Sequence, residues 1–286
     1  MLEILAEVGG HIQYTDLGLS PIALQIGGFA LRWYSLAYLT GILAGYFMIR
    51  RMLQRPGAPM AITHADDLIM WATLGIIIGG RLFYILFYDQ SLLSIPAAFQ
   101  LWNGGMSFHG GLTGLVLALT IYARRNGLSA LRVADYIACV APFGQFLGRL
   151  ANFVNGELWG RVSDVPWAIV FPDGGPVARH PSQLYAALLE GLLIFIVLQF
   201  LFWKRQSRYY PGRLLGVGIL MYAAARFIGE FFRQPDAQLT EFAVNSGLSM
   251  GQWLTLPMFL IGLWLVWTSA RRRQRIEPIA GGQSVG

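Results

Sequence analysis

Residues 144–161 read "GQFLGRLANFVNGELWGR". They close an apolar run that begins near residue 133, and they set Arg149, Asn152, Asn155 and Glu157 within nine positions of one another. An α-helix needs ~20 mostly apolar residues to cross the hydrocarbon of a bilayer. An ionised group buried there costs about 2.5–3.5 kcal/mol on insertion scales, so an intramembrane arginine points to function until something else accounts for it. The stretch therefore reads in two ways at once: as the end of a membrane-spanning helix, and as a polar site built into that end.

The remainder of the chain supports the first reading. Of 286 residues, 55% are hydrophobic and only 13% charged, about half the charge of an ordinary soluble domain. Apolar spans fall at about 30–49, 68–87, 108–123, 133–154, 182–203, 214–232 and 250–269. Between them the basic residues sort by loop. Fourteen of the 21 lie on alternate loops: Arg50, Arg51 and Arg55; Arg124, Arg125 and Arg132; Lys204, Arg205, Arg208 and Arg213; and Arg271, Arg272, Arg273 and Arg275. The intervening loops hold only Arg161, Arg179 and Arg233. The positive-inside rule then puts the N-terminus outside and the C-terminus in the cytoplasm. Seven spans satisfy this alternation, whereas six or eight break it. The expected fold is an all-α integral membrane protein with seven transmembrane helices, a single polytopic domain over residues 1–286. The net charge of +6 belongs to its inner loops and gives no reason to expect a nucleic-acid partner.

The segments outside the spans add detail. The first 28 residues contain no Lys or Arg, so they lack the basic start of a cleavable signal peptide. "LLSIPAAFQLW" (92–102) is too short to span and is expected along the interface. Residues 155–181, with four prolines and two tryptophans, are expected to form a small irregular outer cap, and 276–286 a disordered tail. The pairs Gly41/Gly45, Gly75/Gly79, Gly110/Gly114 and Gly144/Gly148 have the four-residue spacing that lets helix backbones approach closely in lipid. The single cysteine, Cys139, excludes an internal disulfide or a thiolate metal cluster, and the four histidines show no metal-ligand spacing.

Arg81, Arg149 and Arg226 fall within spans, and Arg32 near an outer end. The first three lie in the outer halves of outward-running helices. Tyr34, His109, Asn152, Asn155, Glu157 and His180 fall at the same level, so one outward-facing polar chamber is expected to collect them. Tyr222, Arg226 and Glu230 recur every four residues and share a helix face, where Arg226 can pair with Glu230. Arg149 has Gln145, Asn152 and Phe153 as neighbours on its own face, none acidic, while Glu190 lies nearer mid-membrane. Arg149 is therefore expected to be unpaired and to seek an anion. A lipid phosphate is the anion abundant at that depth, and a guanidinium grips phosphate with two parallel bonds. "GGMSFHGG" (104–111) offers His109 either as a helix cap or as an imidazole able to accept a proton. Ser107 lacks the G-x-S-x-G elbow of a serine nucleophile. A transporter would need polar groups through the full membrane depth, but the inner halves are nearly all apolar. A purely structural bundle would need the charges to balance.

"GRLANFVNGELWG" (148–160) resembles the signature of the phosphatidylglycerol-prolipoprotein diacylglyceryl transferase family. "RWYSLAYLTG" (32–41), "GGMSFHGGL" (104–112), "RHPSQLY" (179–185) and "RFIGEFFRQPDAQ" (226–238) match that family in order and spacing, over most of residues 20–270. The resemblance implies seven helices with a periplasmic cap in the bacterial inner membrane, and an active site toward the periplasmic face. It implies transfer of the diacylglyceryl unit of phosphatidylglycerol to the lipobox cysteine thiol of a prolipoprotein, releasing glycerol-1-phosphate, with no metal or organic cofactor. By motif position, Tyr34, His109, Arg149, Asn152, Glu157 and Arg226 form the implied catalytic set. Arg149, Arg226, Asn152, Gly160, His180, Tyr222 and Glu230 are the implied lipid-binding set. Ala186 departs from the pattern, which has an acidic residue after the equivalent of Tyr185.

Overall fold

The computed structural model describes residues 10–93, 95–100, 104–234 and 246–274. Arg275, the tail expected at 276–286, Ser94, Leu101 and Trp102 of "LLSIPAAFQLW" and residues 235–238 of the last family motif lie outside the described residues. Among the described residues the chain is mostly helical, with a long helix for each expected span. These are α1 (Trp33–Leu53), α2 (His64–Phe87), α3 (Phe108–Arg125), α4 (Ala130–Val154), α5 (Ser182–Trp203), α6 (Arg213–Gly229) and α7 (Met250–Ser269). By length and composition α2, α4, α5 and α7 can each cross a membrane. Helix α6 has 17 residues, while α1 and α3 end in Arg50–Arg51 and Arg124–Arg125, charges that suit the negative end of the helix dipole. Phe87, Leu260 and Trp267 are each more than 70% exposed. Large apolar side chains turned outward from long apolar helices suit contact with lipid better than contact with water.

The chain divides into two compact units. The first takes residues up to Gly45 and from Ala138 to Arg273, and the second takes Tyr46–Ile137 together with the residues after Arg273. In the second unit α2 and α3 pack backbone to backbone. A Cβ on Gly79 would stand 2.7 Å from the Gly114 Cα, and one on Gly75 would stand 2.6 Å from the Ala118 Cβ. Gly114 in turn faces the Gly75 carbonyl and the Gly79 Cα. Such close approach is what holds helices together in lipid, where burial of apolar surface drives nothing. Gly114→Ala is accordingly expected to cost about 1–3 kcal/mol by overpacking. Unfolding of the purified protein in an SDS titration checks this, and an unchanged midpoint would refute the assigned packing.

Arg81, buried on α2, is consumed locally. Its Nε donates to the Ala98 carbonyl at 2.9 Å, and Nη1 donates to those of Gly104 and Gly105 at 2.7 and 3.0 Å. It pins the connection between α2 and α3, a structural task that replaces the expected place in a polar chamber. That connection contains a helical turn at Ile95–Ala98. Helix α3 is capped by Ser107, whose Oγ accepts from the Gly110 N–H at 3.3 Å. The cap is thus Ser107 and not His109, and the Ser107 hydroxyl is occupied.

The first unit contains strands as well as helices. Ile22–Ile26 and Phe29–Arg32 pair as an antiparallel hairpin, so the first expected span loses its opening residues and α1 starts at Trp33. Arg32 ends a strand. The expected irregular cap at 155–181 contains two-residue strands at Ile169–Val170 and Ala178–Arg179, joined by Ile12–Gln13 into a small sheet. Tyr14, Ile169 and Phe171 form a small core beneath it, with Phe153 and Trp159 against them. The Tyr14 hydroxyl donates to the carbonyls of Val154 (2.6 Å) and Phe153 (3.0 Å). The Phe153 carbonyl also accepts from the Gly156 N–H at 2.9 Å, so Tyr14 chiefly serves the Val154 carbonyl at the end of α4, and fixes where the chain leaves α4 for the polar stretch that follows. Gly41 packs on the Gly144 Cα, but Gly148 meets nothing within 4 Å. A Cβ on Gly144 would likewise meet nothing within 4 Å, so of the expected Gly144/Gly148 contact only the approach of Gly41 to the Gly144 backbone is present.

Candidate functional site

The site grows from one irregularity in α5. Residues Ala187–Leu193 form a π-helical segment, a feature that recurs at functional positions because it redirects a side chain. Gly191 lets this segment lie against α4, since a Cβ there would stand 2.6 Å from the Phe146 Cα. Glu190 sits within the segment with its side chain only 2% exposed. Gln145 Nε2 on α4 donates to its Oε2 at 3.1 Å. Arg149 Nη2 lies 3.4 Å from the same oxygen, and Arg226 Nη1 on α6 lies 3.8 Å from Oε1.

Arg149 is therefore not unpaired, contrary to the expectation. Its partner comes from another helix, where inspection of its own helix face could not find it. Arg226 does pair with Glu230, Nη2 to Oε1 at 2.5 Å, and Arg233 Nη1 stands 3.9 Å from that oxygen. Glu230 is also tied to the start of α7. Ser249 Oγ donates to its Oε2 at 2.7 Å, and Gly251 leaves room for the carboxylate, which a Cβ would meet at 2.6 Å. The positive end of the α7 dipole favours an anion there. Three guanidinium groups thus face two carboxylates, and the cluster carries one surplus positive charge. Arg149 Nε is buried without a hydrogen-bond partner, and the Arg149 side chain borders a cleft that Gln183, Tyr185, Ala186 and Arg226 also line. Such a site suits an anionic group with several oxygens.

The motif around Asn152 forms the rim. Asn152 and Asn155 each donate through Nδ2 to Glu157 Oε1, at 2.8 and 3.1 Å. The next residue, Leu158, has φ +59°, a left-handed conformation costly for a branched side chain. Two side chains at the start of α5 hold it there: Gln183 Nε2 donates to the Glu157 carbonyl (2.6 Å), and Ser182 Oγ to that of Leu158 (2.9 Å). Tyr34 on α1 and Tyr222 on α6 lie among these charged groups, Tyr34 near Glu157 and Arg149 and Tyr222 near Glu190, Arg226 and Arg149. The first unit therefore brings Tyr34, Arg149, Asn152, Glu157, Tyr222, Arg226 and Glu230 to one place.

Gly160 and His180 have visible structural tasks. The Gly160 N–H donates to the His180 carbonyl at 2.9 Å, and a Cβ on Gly160 would stand 2.5 Å from the Phe232 carbonyl. Only glycine lets these three backbones cross. His180 Nδ1 is 3.1 Å from the Tyr185 hydroxyl, with Phe232 edge-on to the ring. Burial pushes its pKa below the ordinary imidazole value, against a weaker opposing pull from Asp164, so the ring is neutral near pH 7. His109 belongs to the second unit, exposed on the first turn of α3.

The sequence reading sets Glu190 nearer mid-membrane, names Gln145 only as a neighbour of Arg149, and does not single out Gln183 or Ser249. For Glu190 the signal was present: an acid inside a span rarely lacks a partner. For Ser249 it was the S-x-x-Q pattern of a capping box, which α7 does form with Gln252.

Comparison with known proteins agrees with the motifs. Residues 21–268 match the model of the prolipoprotein diacylglyceryl transferase family. The chain is 53% identical over 268 residues to the phosphatidylglycerol-prolipoprotein diacylglyceryl transferase of Erythrobacter litoralis (strain HTCC2594), covering 93% of this chain and 95% of that protein. The enzyme of the same name from Allorhizobium ampelinum is 53% identical, over 91% and 93% of the two chains. That from Zymomonas mobilis is 51% identical over 91% and 94%.

Proposed function

This chain belongs to the prolipoprotein diacylglyceryl transferase family, and we propose that it transfers the diacylglyceryl unit of phosphatidylglycerol to the lipobox cysteine of prolipoproteins. This would be the first step of bacterial lipoprotein maturation. The observation that carries the proposal is the net-positive cluster of Arg149, Arg226 and Arg233 around Glu190 and Glu230, set among apolar helices with a buried donor to spare.

In the proposed reaction the cysteine sulfur attacks the glyceryl carbon that bears the phosphate. The C–S bond forms as the C–O bond breaks, and glycerol-1-phosphate leaves with the bonding electrons. A free thiol has a pKa of ~8.5 and is mostly protonated at neutral pH, so a base is needed. His109 takes that proton in this scheme. Charge grows on the departing phosphate oxygens, and Arg149 and Arg226, already oriented in a poorly solvated site, stabilise it. Asn152 and Glu157 shape the rim that receives the glycerol portion. Tyr34 and Tyr222 present hydroxyls toward the headgroup, and Glu230 aims Arg226. Gly160 and His180 keep the cap at the height that the lipid headgroup requires.

We read the chain as one polytopic domain of the bacterial inner membrane, with seven transmembrane helices, N-terminus outside, C-terminus cytoplasmic and the site toward the periplasm. The alternation of basic loops supports this orientation. A reporter fused to the C-terminus is expected to read cytoplasm, and a tag at residue 2 to be accessible in intact spheroplasts. A protected N-terminus would overturn the span count. The reaction itself is tested by incubating the membrane-embedded protein with labelled phosphatidylglycerol and a lipobox peptide. A thioether-linked lipopeptide is the expected product, and label that crosses the bilayer without joining peptide would instead indicate a transporter.

A further inference from the structure

Glu190 does more than neutralise charge. Among the described residues it is the single carboxylate that reaches arginines on two different helices, and neither contact is tight: 3.4 Å to Arg149 and 3.8 Å to Arg226. By contrast, Glu230 takes Arg226 at 2.5 Å. Gln145 Nε2 holds Glu190 Oε2 at 3.1 Å, the same oxygen that Arg149 Nη2 approaches at 3.4 Å, and the π-helical turn sets the backbone of Glu190. A carboxylate held at that distance orients Arg149 Nη2 and Arg226 Nη1 without closing on either, and Arg149 Nε keeps no hydrogen-bond partner.

From this arrangement we infer that Glu190 is a positioning residue that acts as a resident counter-anion, weakening the grip of Arg149 and Arg226 on phosphate so that the product can leave. The inference rests on the proposed function, because it needs a phosphate ester as ligand. With Glu190 ionised, three guanidinium groups face two carboxylates. With it neutral, they face one, and the surplus charge doubles. An incoming phosphate would then bind more tightly in both substrate and product. Binding them both more tightly does nothing for the chemical step, which needs interactions stronger in the transition state than before or after it.

Glu190→Gln tests this, because glutamine keeps the shape and can still accept from Gln145. In the purified protein in phosphatidylglycerol-containing nanodiscs, the substitution is expected to lower KM for phosphatidylglycerol and tighten inhibition by glycerol-1-phosphate. Each effect should be roughly tenfold, the scale of one unit charge acting over several ångströms in a partly screened site. Turnover should fall by a similar factor. Direct binding of glycerol-1-phosphate, measured without peptide, should tighten in parallel, and Glu190→Asp, which keeps the charge but sets it farther from both arginines, should tighten it by a smaller factor. A merely structural role would weaken binding and turnover together. Binding that is unchanged or weaker in folded Glu190→Gln would overturn the inference. Should Glu190→Gln fail to fold, Glu190→Asp decides alone: its shorter side chain stands farther from both arginines, so product binding must tighten, and no change or weakening refutes the proposal. Absence of thioether product from the wild-type protein would instead strike the proposed function itself, and is read in the same assay.

Discussion

Arg149→Lys is expected to reduce turnover by at least ~10²-fold, the scale of losing an oriented transition-state donor, while leaving the protein folded and in the membrane. Lysine preserves the charge and can still reach toward Glu190, now 3.4 Å from Arg149 Nη2. What it cannot supply is the Nε–H, which is buried and unpartnered in Arg149, nor the planar fork that meets two phosphate oxygens at once. If Arg149 served only to balance Glu190, lysine would suffice. If it grips the departing phosphate, the loss concentrates where phosphate charge is greatest, so kcat should fall more than lipid affinity. The measurement is turnover of Arg149→Lys and Arg149→Ala in matched membranes, normalised to folded protein. Lysine activity close to wild type would reduce the residue to a diffuse electrostatic part.

His109→Gln should retain lipid binding but lose ~10²–10⁴-fold in rate, the usual worth of a general base. The N-cap of α3 is Ser107, so the substitution leaves the helix start intact and a rate loss cannot be charged to a broken cap. The pH profile separates a base from a merely structural residue. A thiol with pKa ~8.5 ionises unaided as pH rises, so a variant lacking only its base should recover part of its activity between pH 7 and 9. A slow variant whose rate stays flat over that range would exclude His109 as the group that takes the thiol proton.

Much of this was legible without coordinates, for reasons particular to membranes. Lipid offers no hydrogen bonds, so each span must be a long apolar helix, and each expected span proved to contain one. The same economy made the site conspicuous: Arg149 and Arg226 stood out because nothing else in their helices is charged at that level. The i, i+4 pairing of Arg226 with Glu230 was likewise readable, since both lie on one helix face.

The misreadings share one cause. Arg149 looked unpaired because its partner, Glu190, lies 41 residues away on α5, and helix periodicity describes only neighbours on the same helix. The π-helical turn that carries Glu190 has no composition signal of its own, and only the fold shows its Gly191 against the backbone of Phe146. Arg81 resembled Arg149 in sequence, an arginine high in an apolar span. Only the fold shows that loop carbonyls absorb the guanidinium of Arg81, while Arg149 keeps a buried donor unused. By itself the sequence determined which segments are helices, which family motifs they carry and how much charge they hold. The tertiary structure alone decided which of those charges meet, because pairing between helices depends on depth and rotation, quantities that no single helix encodes.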